Sequence, residues 1–477
     1  MRRKAKIVAT IGPASQDRTV LSDLLLAGVD VIRLNFSHGS HQNHQSVINN
    51  IRQLELELKR PITILQDIQG PKIRVGSLPK SGINLVTGEQ VQILPQEKSA
   101  DPHIIPIDYP DLYEYVKLGQ KILIDDGIIE LRVENVKNDT IGAQVITGGL
   151  LKSHKGVNFP GVELNLPCLT QKDVDDLIFG LEQQVDVIAV SFIRQAEDII
   201  SIRNLIKQKA PHRLKTPLIA KVERPEALQN LENILAVADG VMVARGDLGV
   251  ELSPESVPIA QKRIIESANR HGKIVITATQ MLDSMIHNPR PTRAEATDVA
   301  NAIFDGTDAV MLSGETAIGD YPVIAVRTMA KIVFEAEKNM KKWGRFNPKQ
   351  TPSSKDDDAF FITQAGYELA RDKNVAAIAL FTKSGRTALL MSKTRPGVDI
   401  LAFTSIPEVY HYMNLYWGIH PYRVPHVDTL EEMLTVVNQA MIKSTRVKPG
   451  QQVVLICGYP VQSNVPANLT LLHTVQN

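Results

Sequence analysis

Residues 218–249 read LIAKVERPEALQNLENILAVADGVMVARGDLG, two short apolar runs joined by a helical pattern. The first run ends at Lys221-Val222-Glu223 and the second at Arg245-Gly246-Asp247. Continuous apolar runs are typical of strands that are covered on both faces, as in parallel sheets. The stretch therefore predicts a strand–helix–strand unit that carries polar, reactive side chains at the ends of its strands.

The same unit recurs along the chain, because other short apolar runs also stop at polar residues and precede helical patterns. Eight such units predict a (β/α)₈ barrel, in which the active site lies at the C-terminal ends of the strands. The predicted barrel strands are 6–11, 31–36, 62–65, 187–190, 218–220, 240–243, 274–276 and 309–312.

Two other regions depart from the barrel pattern. Between the third and fourth strands the runs are short and β-rich, with a hairpin turn at Asp126-Gly127 and plausible hinges at Gly76 and Phe159-Pro160-Gly161. A β domain inserted there would act as a lid on the barrel. After a polar linker at about 343–358, predicted strands at 376–381, 400–403 and 452–456 alternate with helical stretches and predict an open α/β domain. The expected domains are a barrel of 1–74 and 168–343, a lid of 75–167 and a C-terminal domain of 344–477.

The composition is that of an ordinary globular protein of about three domains. The 477 residues include 53 Lys plus Arg and 52 Asp plus Glu, a net charge of +1 that gives no reason to bind nucleic acid or an anionic membrane. No apolar run reaches the roughly 18 residues of a membrane helix. The basic opening MRRKAKIVATIGPAS has too short an apolar part for a signal peptide, and it predicts a first strand.

The two cysteines, Cys168 and Cys457, lie far apart in the sequence and form no metal motif. They predict a reducing, cytoplasmic location, although a single disulfide stays open. His38, His41 and His44 are spaced by three but lack a carboxylate partner motif, so we expect no zinc site there.

The strand ends of the opening stretch carry candidate metal ligands. Lys221 and Glu223 are two residues apart and face the same way. A lysine beside a carboxylate in a barrel mouth can hold a divalent metal and stabilise developing negative charge. Asp247 is a candidate second carboxylate, and Gly246 lets the backbone approach a small anion closely. A plain ion pair at the first end and a surface turn at the second are the alternatives.

Further candidates follow other strands. Arg33, Asn35 and Ser37 alternate and so project from one face. The side-chain oxygens of Asn35 and Ser37, together with Asp67, form a cage suited to a hard cation, whereas Arg33 suits a phosphoryl group. Thr279 has a hydroxyl that can relay a proton, although by itself it fits a structural role better.

The C-terminal domain offers a possible phosphate site. FTKSGRT at 381–387 follows a strand and opens a helix, and its hydroxyls, glycine and backbone amides form a phosphate cradle. An ordinary helix cap is the alternative.

Over essentially its whole length the chain resembles the pyruvate kinase family. The resemblance implies the same three-part fold, transfer of a phosphoryl group from phosphoenolpyruvate to ADP in glycolysis to give pyruvate and ATP, and use of Mg²⁺ or Mn²⁺. The motifs, in the family's order, are TIGPAS (10–15), RLNFSHG (33–39), QDIQGPKIR (66–74), KVE (221–223), VARGDLGVE (243–251), TATQMLDSM (277–285), PTRAEATDVANAIFDGTDAVMLSGETAIGDYP (291–322) and SGRTA (384–388).

Residue roles are implied by the same motifs. Glu223 and Asp247 would hold the divalent ion, Arg33 and Lys221 would stabilise the phosphoryl group, and Thr279 would help to protonate the enolate. The implied substrate-binding residues are Ala244, Arg245, Gly246, Asp247, Thr279 and Ser313. The implied nucleotide-binding residues are Thr10, Pro13, His38 and Arg74. The implied effector-binding residues are Thr382, Lys383, Ser384, Gly385, Arg386 and Thr387.

One departure from the family concerns K⁺. Many members bind K⁺ at the positions of Asn35, Ser37, Asp67 and the carbonyl of Ile68. Those members usually carry glutamate where this chain has Lys72, and Thr-Lys at positions 68–69. The Lys72 ammonium would supply the charge that K⁺ otherwise gives, so our hypothesis is that this enzyme does not require K⁺.

The Lys72 pattern also resembles a bacterial branch that is commonly activated by AMP or sugar monophosphates. An effector phosphate would bind at 382–387 and the loop 458–464 would close over it. The family is usually a homotetramer with coupling between subunits. Gln195 stands where many eukaryotic members have a lysine, so that nucleotide contact is not carried over.

Two other functions compete with the kinase. A barrel lyase or aldolase acting on pyruvate-like acids with Mg²⁺ would need Glu223, Asp247 and the ARGD loop, but neither RLNFSHG and QDIQGPKIR nor a lid. A catalytically dead metabolite sensor would work through the C-terminal site, but every expected catalytic side chain is present. Nucleic-acid binding lacks both net charge and a basic stripe.

Overall fold

The computed structural model describes residues 2–162, 164, 166–344, 351–352, 357–463 and 465–476. The predicted linker at about 343–358 lies partly outside the described residues. The strands, numbered in chain order, are β1 Lys6–Ile11, β2 Val31–Asn35, β3 Thr63–Ile68, β4 Ile83–Leu85, β5 Gln90–Leu94, β6 Ile104–Pro106, β7 Lys121–Ile124, β8 Ile129–Lys137, β9 Thr140–Thr147, β10 Gly149–Leu151, β11 Val157–Asn158, β12 Val187–Val190, β13 Leu218–Val222, β14 Gly240–Ala244, β15 Ile274–Ala278, β16 Ala309–Leu312, β17 Ala377–Phe381, β18 Asp399–Thr404, β19 Ile419–Arg423, β20 Gln452–Cys457 and β21 Leu469–Thr474.

Helices connect most of these strands, and among the described residues none is long and apolar enough to cross a membrane. They are α1 Arg18–Ala27, α2 His41–Leu58, α3 Leu112–Tyr115, α4 Gln171–Glu182, α5 Ala196–Lys209, α6 Pro225–Gln229, α7 Leu231–Val237, α8 Arg245–Glu251, α9 Val257–Arg270, α10 Arg293–Asp305, α11 Gly314–Ala317, α12 Pro322–Lys338, α13 Met340–Trp343, α14 Asp358–Lys373, α15 Arg386–Thr394, α16 Pro407–Tyr412 and α17 Leu430–Ser444.

The predicted eight-stranded barrel is confirmed. All its neighbouring strands are parallel, and the sheet closes in the order β1-β16-β15-β14-β13-β12-β3-β2. Several strands extend past the last apolar residue that the pattern marked. The ladder continues through the pairs Asn35–Asp67 and Lys221–Met242, so polar side chains stand on the strands themselves at the barrel mouth.

The inserted β unit, strands β4–β11, is called the lid below. Its main sheet runs β11-β7-β8-β9-β5-β6, and β10 pairs with β4. The predicted hairpin is present, because β7 and β8 pair antiparallel around Asp126 and Gly127, both of which have positive φ. The lid has a hydrophobic core of its own, built from residues such as Ile122 and Leu131.

Two antiparallel segments, 72–75 and 155–158, connect the lid to the barrel, and together they are called the stalk. The amide of Val75 donates to the carbonyl of Lys155 over 2.8 Å, and the amide of Val157 donates to Ile73 over 2.9 Å. Lys72 passes directly over Gly156, where an added Cβ would lie 2.6 Å from Lys72 Cε. The stalk is therefore a paired ribbon with one tightly packed crossing.

The C-terminal α/β domain has a five-stranded sheet in the order β19-β18-β17-β20-β21, in which only β21 is antiparallel to its neighbour. The pattern predicted β17, β18 and β20 but not the two edge strands. β19 contains Pro421, which interrupts an apolar run and is tolerated at a sheet edge. β21 is half-buried from Leu469 to His473 and exposed at Thr474, so it lacks the signature of a covered strand.

A buried charge cluster attaches this domain to the N-terminal face of the barrel. Lys393, at the end of α15, pairs with Asp308 and donates to Asn269 Oδ1 over 2.8 Å, and Arg395 reaches the other oxygen of Asp308. Burial lowers the pKa of Lys393 to about 8, although Asp308 opposes that shift. A buried charge loses its partner only at a large cost in free energy, so this cluster opposes separation of the C-terminal domain from the barrel.

Candidate active site

Lys221 occupies the centre of the barrel mouth and contacts two carboxylates. Its Nζ lies 2.9 Å from Glu223 Oε1 and 3.2 Å from Asp67 Oδ1, and it donates to Ser191 Oγ over 2.8 Å. Lys221 and Asp67 stand on β13 and β3, and Glu223 and Ser191 directly follow β13 and β12. The strands are neighbours in the order β13-β12-β3. The predicted Lys221–Glu223 pair is therefore part of a larger cluster.

Arg33 is the second cation of this cluster. Its Nε donates to Asp67 Oδ2 over 2.7 Å and its Nη1 donates to Thr10 Oγ1 over 2.9 Å. Cations and carboxylates thus alternate across the floor of the mouth, from Arg33 through Asp67 and Lys221 to Glu223. Such an array presents positive charge to an incoming anion while each buried charge keeps a partner.

The environment fixes the charge states of these groups. Burial alone would lower the pKa of Lys221, but the carboxylates of Asp67 and Glu223 outweigh it and raise that pKa well above its usual range. Burial opposes ionisation of Asp67 as well, but Arg33 and Lys221 hold its pKa below the usual value. The pKa of Glu223 is raised by burial and by the nearby Asp247, against the effect of Lys221. A further cation beside Glu223 would therefore favour its ionised form.

Asp247 lies in the first turn of α8 and pairs with Lys72 of the stalk. Lys72 Nζ is 2.9 Å from Asp247 Oδ1 and 3.8 Å from Asp126 in the lid. Asp247 is partly exposed, whereas Glu223 is buried. The second candidate metal carboxylate therefore faces the open side of the mouth.

The donor set fits a hard divalent cation. Oxygen ligands suit Mg²⁺ and Mn²⁺, and Mg²⁺ is usually held by one or two carboxylates while other positions go to substrate and water. Glu223 and Asp247 supply two carboxylates, and within the described ranges no group of three His, Cys, Asp or Glu forms a closed cage. The site therefore suits an ion that shares its coordination with a substrate.

Thr279 stands on strained backbone just after β15. Thr279 and Gln280 have φ of +66° and +53°, a left-handed conformation that costs free energy for residues other than glycine. The hydroxyl of Thr279 accepts from the amide of Gly246 over 2.8 Å and donates to the carbonyl of Ala278. Thr279 and the Gly246 turn are thus brought together, as the substrate-binding set implies.

The side chain of Arg245 is bound to other protein groups and is not free to contact a substrate. Its Nη2 donates to the carbonyls of Thr279 and Gln280 over 2.7 and 2.9 Å, and its Nη1 pairs with Asp298 of α10. The guanidinium therefore clamps the strained turn, and Arg245 can meet a substrate through its backbone. Ala244, which precedes it, is buried at the end of β14.

The residues implied for nucleotide binding lie around the rim. Pro13 and His38 are exposed, whereas Thr10 is buried within the Arg33 cluster. Arg74 donates to the carbonyl of His154 across the stalk over 2.9 Å. The structure thus distributes these four positions between the floor of the mouth, its rim and the stalk.

The family's monovalent-cation positions are already engaged with protein groups. Asn35 Oδ1 accepts from the amide of Ser37, and the carbonyl of Ile68 accepts from Ser191 Oγ over 2.7 Å. Asp67 is neutralised by Arg33 and Lys221. The carboxylates within ion-pair distance of Lys72 are Asp247 and Asp126, so its charge lies on the divalent side of the mouth.

Some residues of the site were missed by the sequence interpretation. Ser191 links Lys221 to the carbonyl of Ile68, and Glu315 accepts from the amides of Leu282 and Ser313. Ser313 itself has a buried hydroxyl without a partner among the described residues. Ser191 ends a barrel strand like the residues that were chosen, and that position was the available signal.

The predicted phosphate loop of the C-terminal domain forms the wall of a cavity of about 280 Å³. Thr382 Oγ1 accepts from the amide of Gly385. Gly385 has a φ of +71°, and an added Cβ would lie 2.9 Å from Tyr412 Cε2, so a side chain at this position would be strained. Lys383, Ser384, Arg386 and Thr387 line the cavity together with parts of the loop 458–467. Asn464 of the predicted closing loop lies outside the described residues.

Comparisons with known proteins agree with this geometry. Residues 2–326 match the family model for the barrel domain of pyruvate kinase, and residues 361–473 match that for its alpha/beta domain. A pyruvate kinase of Geobacillus stearothermophilus is 46% identical over 479 aligned residues, covering 100% of this chain and 81% of the relative. "Pyruvate kinase 2" of Synechocystis is 46% identical, covering 96% and 76%.

A pyruvate kinase of Clostridium acetobutylicum is 40% identical, covering 99% of this chain and 100% of the relative. The two family models together span most of the chain. The three relatives share 40–46% sequence identity with it over nearly its whole length. The chain belongs to the pyruvate kinase family.

Proposed function

We propose that this protein transfers the phosphoryl group of phosphoenolpyruvate to ADP, giving pyruvate and ATP in glycolysis. The observation that carries the proposal is the Arg33–Asp67–Lys221–Glu223 array beside Asp247 at one barrel mouth. Two fixed cations there can stabilise a phosphoryl group whose charge spreads over its oxygens during transfer.

The side chains divide the reaction between them. Lys221 stays protonated because of its raised pKa, and with Arg33 it would neutralise the phosphoryl oxygens. Glu223 and Asp247 would hold Mg²⁺ or Mn²⁺, which when bound supplies stabilisation of the oxygen that the phosphoryl group leaves. The amides of Gly246 and Asp247 would seat the substrate carboxylate, while Ala244, Arg245 and Ser313 border it. Thr279, through its hydroxyl and water, would deliver the proton to the enolate carbon.

The direct test is pyruvate formation from phosphoenolpyruvate, ADP and Mg²⁺ by the purified protein. Turnover above about 1 s⁻¹ is expected of an enzyme of this kind. No turnover with any divalent metal, with or without K⁺ and effector, would contradict the proposal and favour the lyase or the sensor. The relatives favour the kinase because they are pyruvate kinases. The geometry favours it because Arg33 of RLNFSHG and Asp67 of QDIQGPKIR join the same cluster as Lys221.

We propose further that turnover does not require K⁺, because Lys72 places a fixed positive charge beside Asp247, on the divalent-cation side of the mouth. In Na⁺- and K⁺-free buffer the protein should work at full rate, and added K⁺ should change kcat less than about twofold. The Lys72→Glu variant should lose most activity in that buffer and regain it with K⁺. A large gain on adding K⁺ to the unaltered protein would exclude the role given to Lys72.

We also propose activation by AMP or a sugar monophosphate at the C-terminal cavity, which is lined by the hydroxyls and cations of the phosphate loop. The Lys383→Met variant should need about tenfold more ribose 5-phosphate for half-activation, since a charge-assisted contact to phosphate is lost. Lys373→Met, an exposed lysine of the same domain, is the matched control. Equal activation constants for both variants would place the effector elsewhere.

The remaining proposals concern organisation. We propose domain divisions after residues 74, 167 and 343, a homotetrameric assembly and a cytoplasmic location. Sedimentation at micromolar concentration should give four times the chain mass of 52.7 kDa. A monomer under those conditions would contradict the assembly.

A further inference from the structure

The stalk contacts the first turn and the last residue of helix α8. On the outgoing segment, Lys72 reaches Asp247 in the first turn of α8. On the returning segment, Asn158 Nδ2 donates to Oε1 of Glu251, the last residue of α8, over 2.8 Å. The helix that carries one of the two metal carboxylates is therefore held by the lid's two connections, one at each end.

Glu251 also joins the strand end that carries the other metal carboxylate. Its Oε1 lies 3.4 Å from Nη2 of Arg224, which directly follows Glu223. Asn158, Glu251 and Arg224 are all at least nine-tenths buried, at 6%, 8% and 7% exposure. The buried carboxylate of Glu251 thus connects the stalk, α8 and the end of β13. Of these elements, α8 carries Asp247 and the end of β13 carries Glu223, the two candidate metal carboxylates.

The bonding around Glu251 is incomplete within the part of the chain that the structure describes. Asn158 Oδ1 and Arg224 Nε are buried without hydrogen-bond partners. Unpaired buried polar atoms are costly, and a cluster that served packing alone would be expected to satisfy them. A spare acceptor and a spare donor around the same carboxylate allow a second bonding arrangement when the stalk turns.

The Asn158 contact differs from the Lys72 contact in what metal binding does to it. A divalent ion at Asp247 would compete with Lys72 for the same carboxylate and weaken that ion pair. The Asn158–Glu251 bond involves no metal carboxylate, so the ion would not compete for it. This bond would then be the remaining connection between α8 and the stalk.

We propose that Glu251 is a positioning residue that couples the orientation of the lid's stalk to Glu223 and Asp247, so that the lid sets the affinity of the site for its divalent cation. This inference rests on the roles proposed for those two carboxylates. Since coupling is reciprocal, the bound cation also favours the stalk orientation in which Asn158 reaches Glu251.

The test exchanges the two partners. Asn158→Asp puts a second carboxylate against Glu251 and should weaken Mn²⁺ binding, measured by electron paramagnetic resonance without turnover, about tenfold or more. Kcat at saturating metal should change less than about threefold. The N158D/E251Q double variant restores an amide–carboxylate bond with the roles reversed, and its Mn²⁺ affinity should return to within about threefold of the parent.

Further variants separate coupling from folding. Asn158→Ala removes the donor without adding charge and should weaken Mn²⁺ binding about threefold, and Asn138→Asp makes the same chemical change at an exposed lid turn as the control. The proposal is overturned if N158D and N158A bind Mn²⁺ as tightly as N138D, or if E251Q does not rescue N158D. Pyruvate formation by the parent protein tests the proposed function separately.

Discussion

Replacing Lys221 with methionine is expected to lower kcat by at least about 10³-fold, the effect seen when a fixed charge on a transferring group is removed. The side chain keeps its length, so the site retains its volume while the phosphoryl oxygens lose a cation. Glu223 and Asp67 lose a partner as well, and Glu223, whose pKa is already raised by burial, can adjust by taking up a proton. The measurement is steady-state pyruvate formation at saturating substrates and metal.

The matched control for this variant is Lys273→Met. Lys273 lies at the opposite end of the barrel, just before β15, where its Nζ donates to the carbonyl of Ala238. The chemical change is identical but remote from the mouth, so kcat should stay within about twofold of the parent. A Lys221 variant that keeps a tenth of the parent kcat, with its thermal unfolding unchanged, would remove Lys221 from the catalytic role.

Replacing Asp247 with asparagine is the second change for which we expect a large effect. The amide keeps one oxygen but loses the charge, so the concentration of Mg²⁺ for half-maximal rate should rise more than about 100-fold, beyond what loss of an outer-sphere partner causes. Lys72 loses its 2.9 Å ion pair at the same time. Titration of activity with Mg²⁺ and direct Mn²⁺ binding should shift together.

Asp126→Asn is the control for that experiment. Asp126 is the other carboxylate near Lys72, at 3.8 Å, and its side chain is 73% exposed in the lid hairpin. If the effect of the Asp247 variant came from freeing Lys72, the Asp126 variant would reproduce part of it. A change of less than about twofold in the Asp126 variant, with a large one in D247N, assigns the loss to metal binding.

The barrel was predictable because its strands are buried on both faces and so leave uninterrupted apolar runs. The polar residues that stop those runs marked the right end of the barrel, which is why Arg33, Asp67, Lys221 and Glu223 were found. The edge strand β19 was not, because Pro421 breaks its pattern and one side of it has no neighbour in the sheet.

Contacts between segments that are distant in the sequence could not be predicted from the local sequence pattern. Nothing local to Arg245 indicates that its guanidinium clamps the turn at 279–280, because that contact depends on the approach of β14 to β15. The partner of Lys72 likewise depends on the direction of the stalk. Family motifs identified candidate residues for the site, whereas the pairing of their charges depends on how distant segments come together in the fold.

The stalk has a consequence for how this architecture can change over evolution. Its two segments leave and re-enter the barrel side by side, with Val75 N 2.8 Å from Lys155 O. Closing a chain between neighbouring ends costs little entropy whatever lies between them, and insertions are tolerated best at such places. Recombination could therefore exchange the part of the inserted unit beyond the stalk for a short turn or an unrelated module, provided that the stalk keeps the contacts of Lys72 and Asn158 with α8. Any replacement would have to join the two stalk segments at their present separation.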